Sequence, residues 1–99
     1  MFDKAKQIYD LQKKAKAMQK ELKETEIEAK SSDGKVSVVF NGEMHLVGLS
    51  IDDSLMDDKR ELEKKLKNTI SEGLQRAQAV AADKTKEIMK DMNLNIPGM

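Results

Sequence analysis

A chain of 99 residues with 18 Lys and Arg, 18 Asp and Glu and no Cys has the size of one small domain, with neither a disulfide framework nor a thiolate metal site. No apolar run approaches a membrane span and the opening MFDKAKQIYD shows no signal-peptide core, so the expectation is a cytoplasmic protein with no membrane partner. Thirty apolar residues are larger than Ala, few for a domain that buries only about 60–65% of its unfolded surface, so a second copy of the chain would help to complete the core.

The first predicted element is a helix over about residues 3–24. Ile8, Leu11, Ala15, Met18 and Leu22 are spaced 3, 4, 3, 4, the seam of two coiled-coil heptads. TEIEAKS then alternates strictly and meets the turn signal Ser32-Asp33-Gly34, which predicts a strand over about 25–31. In VSVVFNGEMHLVGLSID, Val36, Val38 and Phe40 alternate before Asn41-Gly42, and Val47, Leu49 and Ile51 alternate after it. Asn-Gly is the signature of a two-residue type I′ turn, with φ > 0 at both positions. Strands over about 35–41 and 43–52 complete a three-stranded antiparallel meander.

Asp52-Asp53-Ser54 ends the meander, and Asp58 followed by Glu61 fits a capping box. A long helix over about 58–92 buries Leu62, Leu66, Ile70, Leu74, Ala77, Ala81 and Ile88. Gly73 in its middle costs up to about 1 kcal/mol relative to Ala, so another backbone is expected close by. Asn93, Asn95 and Pro97-Gly98 stop the helix and leave residues 93–99 as a mobile tail. The fold class is therefore α+β in a single domain over 1–99. Its expected core and dimer interface hold Val36, Val38, Phe40, Val47, Leu49, Ile51, Leu62, Leu66 and Ile70.

The zero net charge conceals segregation. Residues 4–23 balance at +5, residues 31–58 at −5 and residues 59–99 at +3, so a polyanionic partner remains open. With Ile8 at heptad position a, Lys6, Lys13 and Lys20 form a column at f, Lys16 and Lys23 one at b, and Lys14 sits on the flank. Such a face is either plain solvated surface or a row of phosphate contacts. Lys84, Lys86 and Lys90 make a weaker patch, diluted by Asp83, Glu87 and Asp91. Sixteen of the 18 basic residues are Lys, point charges suited to phosphate rather than to base edges.

Catalytic signals are lacking. His45, the single histidine, reads as a strand side chain rather than a base or ligand. No nucleophile motif or phosphate-cradling Gly-rich loop is present, and no cofactor or small-molecule substrate is implied. Asp52, Asp53, Asp57 and Asp58 lack the ligand spacing of a calcium loop; no metal is expected. Gln12 and Gln19, at position e beside the seam, point poorly toward a nucleic-acid groove.

The stretches LQKKAKAMQKELKETEIEAKSSDGKVSVVFNG and GLSIDDSLMDDKRELEKKL and the ending NIPGM resemble the YbaB/EbfC family of bacterial nucleoid-associated proteins. The resemblance covers most of the chain. It implies a tweezer-like homodimer with projecting N-terminal helices, binding to double-stranded DNA with limited sequence preference, and a place in the nucleoid. On that resemblance Lys6, Lys13, Lys14, Lys16, Lys20, Lys23, Lys84, Lys86 and Lys90 are the candidate DNA contacts. Asp53 stands where relatives carry Pro, and the N-terminus is shorter than their glycine-rich opening. Rival functions from other classes are a prefoldin-like holdase, which also joins two helices through β-hairpins, and a protein–protein adaptor.

Overall fold

The computed structural model describes residues 2–91. Helix α1 (Phe2–Glu24) leads into strands β1 (Glu26–Lys30), β2 (Val36–Asn41) and β3 (Leu46–Ile51). They form one antiparallel sheet in the order β1-β2-β3. After a 3₁₀ turn at Asp53–Leu55, helix α2 runs from Lys59 to Asp91. This is the α+β order expected: helix, meander, long helix. Residues 92–99, including the predicted tail, lie outside the described residues.

Each connection has a local cause. In the β1–β2 turn Gly34 takes φ 75°, where a Cβ is disfavoured. Asp33 Oδ1 accepts from the Ser31 hydroxyl at 2.7 Å and from the Lys35 N–H at 3.1 Å. Lys65 Nζ on α2 lies 2.7 Å from Asp33 Oδ2, tying turn to helix. Asp52 closes the 3₁₀ turn by accepting from the Ser54 N–H at 2.9 Å. Only half of the predicted capping box forms. Asp58 Oδ1 accepts from the Glu61 N–H at 3.2 Å, whereas the Glu61 carboxylate lies 3.7 Å from Lys65.

The β2–β3 connection departs from expectation. Asn41 is the last residue of β2, and among the described residues only Met44 in this loop has positive φ, at 66°. Asn41-Gly42 is therefore no type I′ turn. Asn41 acts through its side chain, whose Oδ1 accepts from the N–H groups of Glu43 and His45 at 2.9 and 3.0 Å, an arrangement Asn supplies readily. The wider loop delays β3 to Leu46 rather than 43. It also shifts the register: Val39 pairs with Gly48 but Phe40 with Leu46, leaving Val47 as a β-bulge.

The core is Ile27, Ala29, Val38, Phe40 and Ala77, with Ile70, Leu74 and Val80 packed against it. Val36 is fully buried too, while Leu62, Leu66 and Ala81 are half-buried. The approach expected at Gly73 is real but comes from side chains: a Cβ there would lie 2.9 Å from the Phe40 ring and from Val38 Cγ2. Val47 and Leu49 are not part of the core of the single chain, being 55% and 52% exposed in it, and Ile51 is half-buried. Leu49 and Ile51 sit directly opposite Val38 and Val36, on the same face of the sheet. The difference is cover, because α2 packs chiefly on β1 and β2.

Candidate nucleic-acid interface

Helix α1 is fixed to the rest of the molecule at its C-terminal end. The Gly42 N–H donates to the Leu22 carbonyl at 2.7 Å and to that of Thr25 at 3.1 Å, satisfying carbonyls that a helix end leaves without partners. A Cβ on Gly42 would come within 2.6 Å of the Leu22 oxygen, which is the reason for glycine here. Lys84 Nζ on α2 lies 2.7 Å from Glu21 Oε1, and Glu21 holds the Lys84 ammonium pKa above its ordinary value. Of the predicted seam, Met18 and Leu22 are half-buried, while Ile8, Leu11 and Ala15 are exposed. The molecule is correspondingly drawn out, 67 × 25 × 15 Å.

Lys6, Lys13, Lys14, Lys16, Lys20 and Lys23 are all exposed on α1. Among the described residues none of the six is in an ion pair. Lys16, Lys20 and Lys23, one and two turns apart, line an open groove of about 730 Å³ together with Gln19, Glu43 and His45. Lys6, Lys13 and Lys14 lie on the same helix outside that groove. Lys86 and Lys90 are exposed on α2, but Lys84 is occupied by Glu21. The candidate lysines thus divide into an unpaired set on α1 and a partly engaged set on α2.

Gln19 and His45 were not expected at this surface. Heptad position alone turns Gln19 toward the seam, and His45 reads as mid-strand. The groove exists because the β2–β3 loop is clamped against the end of α1, a contact between segments about 20 residues apart that carries no periodic signal. A second pocket, of about 260 Å³ between the β1–β2 turn and α2, sets Lys30, Lys64 and Lys65 against Glu61 and Glu72, and Lys65 is already paired with Asp33 and Glu61, so it offers a polyanion less than the α1 groove does. No group of His, Cys, Asp or Glu that could hold a metal occurs among the described residues, and no described helix is long and apolar enough to cross a membrane.

The YbaB/EbfC DNA-binding family matches residues 1–92. A nucleoid-associated protein of Campylobacter concisus is 43% identical over 77 residues, 78% of this chain and 71% of that protein. One from Synechococcus is 34% identical over 99 residues, covering 99% of this chain and 85% of the relative. The crystal structure of an uncharacterized protein from Helicobacter pylori superposes with a TM-score of 0.66 at 32% identity, over 77% of this chain and 90% of that one.

Proposed function

The chain belongs to the YbaB/EbfC DNA-binding family, and on that premise we propose that it is a homodimeric, nucleoid-associated protein of the cytoplasm that grips duplex DNA by its phosphate backbone. The observation that carries this reading is the unpaired lysine face of α1, seven Lys against Asp10 and Glu21 between residues 4 and 23. Ammonium groups that make no ion pair among the described residues are available to neutralise phosphates and release condensed counterions. The chain is poor in Arg, the fork that reads guanine edges, which favours binding with little sequence preference. Tyr9 is the only aromatic between residues 4 and 23, too little for a single-strand stacking platform. The names of the relatives support a place in the nucleoid.

The two sheet edges support dimerisation. Pairing alternates along β1 from the Ser31–Val36 hydrogen bond, so the Glu28 carbonyl points to the open side, where Arg76 Nη1 donates to it at 3.0 Å. The β3 edge has no such cover from α2, and Leu46, Val47 and Leu49 beside it are exposed. An uncovered apolar edge invites another chain, and a second copy at β3 would cover it. The helices, 23 and 33 residues long, do not make the matched pair of a prefoldin-like holdase.

Titration of two unrelated duplexes across a salt series tests the proposal. If a dimer neutralises about four to eight phosphates, the log–log salt slope should be roughly −4 to −7, nearly the same for both duplexes. A flat salt dependence, or a thousandfold preference persisting at moderate salt, would overturn backbone binding. For the dimer, Leu49→Asp should give a folded monomer in sedimentation; an unchanged dimer would place the interface elsewhere.

A further inference from the structure

The loop that clamps α1 also presents side chains of its own. Glu43 and His45 supply the loop's part of the wall of the groove that Lys16, Gln19, Lys20 and Lys23 of α1 also line. That wall is held from behind. Asn41, itself 4% exposed, accepts from the main-chain N–H groups of both residues. Its own N–H donates to the His45 carbonyl at 2.9 Å. The Gly42 N–H then fastens the loop to Leu22 at 2.7 Å. The main chain that carries His45 is therefore fixed, and His45 lines the same groove as three lysines.

Among the described residues, the charged groups that line the groove with His45 are the ammoniums of Lys16, Lys20 and Lys23 from α1 and the carboxylate of Glu43 from its own loop, and none comes from β1 or α2. Among these side-chain types only imidazole changes charge between about pH 5 and 8. A phosphate against an imidazole favours the protonated form, in which both ring nitrogens donate. Proton binding and phosphate binding then strengthen each other reciprocally. Glu43 repels phosphate from the same wall, and an imidazolium two residues away offsets that repulsion. Resting on duplex DNA as the ligand proposed above, we infer that His45 is a phosphate-contacting residue of the groove, and that proton uptake at its imidazole tightens DNA binding below neutral pH.

Fluorescence anisotropy of a labelled duplex with the full chain tests this at about pH 6 and about pH 8, on either side of the imidazole range. Wild-type affinity should rise about two- to fivefold per groove engaged at the lower pH, the size of an exposed charge pair. The log–log salt slope should steepen by up to about 0.9 per groove. In His45→Gln both values should stay at their higher-pH level. The α-amino group also titrates near this window, and this variant separates the two. His45 is exposed, so circular dichroism of the variant should match the parent. A wild-type response that ignores pH, or one that survives in His45→Gln, overturns the role of His45 while leaving lysine-driven binding intact. No binding at either pH in low salt overturns the DNA reading itself, and this inference with it.

Discussion

The two helices carry similar stocks of basic residues and use them in opposite ways. On α2, Lys65 is bound to Asp33, Arg76 to Glu72 and the Glu28 carbonyl, and Lys84 to Glu21. Each joins α2 to another element or turn of the fold. On α1, the six candidate lysines have no ion-pair partner among the described residues, and three of them line a groove. The difference lies in where each helix is packed. The body of α2 lies over the sheet, so Lys65, Arg76 and Lys84 meet acids and carbonyls brought there by other elements. Most of α1 projects beyond its anchored end, so its cations meet solvent or a ligand. A lysine count alone cannot separate the two uses.

Breaking the packing under α2 should have the largest effect. Phe40→Asp puts an unpaired charge where the ring is 5% exposed and should remove more than about 4 kcal/mol, enough to unfold a small domain. A cooperative thermal transition retained in circular dichroism would contradict that view of the core. Breaking the face of α1 should leave the fold intact. Lys13→Glu, Lys16→Glu and Lys20→Glu together should weaken duplex binding on the order of a thousandfold or more at moderate salt, with helicity and oligomeric state unchanged. Parent-like affinity would redirect attention to Lys86 and Lys90.

Smaller changes sharpen the contrast. Gly73→Ala gains up to about 1 kcal/mol of helix propensity, but its Cβ meets Phe40 and Val38 at 2.9 Å, an overpacking that costs about 1–3 kcal/mol. The clash should win, and calorimetry should show a lower Tm; a higher one would mean that the core yields easily. Lys84→Met should lower stability only slightly, as expected for a partly exposed pair, and should barely alter DNA affinity at low salt. A loss comparable to that of the α1 triple variant would make Lys84 a DNA contact after all.

The smallest effect concerns the β1–β2 turn. Lys65 first, then Ser31, hold the Asp33 carboxyl well below the usual carboxylate range, and Asp33 in turn raises Lys65. A depressed carboxylate contributes stability above its unfolded value near 4 and loses it as pH falls toward the folded value. The stability gap between wild type and Asp33→Asn should therefore be open at neutral pH and narrow steadily under acid. A gap independent of pH would assign the turn to backbone geometry and Gly34 instead.

The sequence by itself determined the element types and their order, because heptad spacing in α1, alternation in the strands and the stripe on α2 are local consequences of how each element repeats. It also determined that α1 is lysine-rich on one side. Tertiary structure decided which of two similar strands is covered: Val38 and Leu49 face one another across the sheet, yet only Val38 lies under α2. It decided as well that Asn41 and Gly42 serve as a side-chain bracket and a close contact with Leu22 rather than as a positive-φ turn. From that docking come the bulge at Val47 and the placing of His45 and Gln19 beside Lys16, Lys20 and Lys23. These features depend on distances between segments remote in the chain. Periodicity records which face a residue occupies on its own element, not what the fold brings against that face.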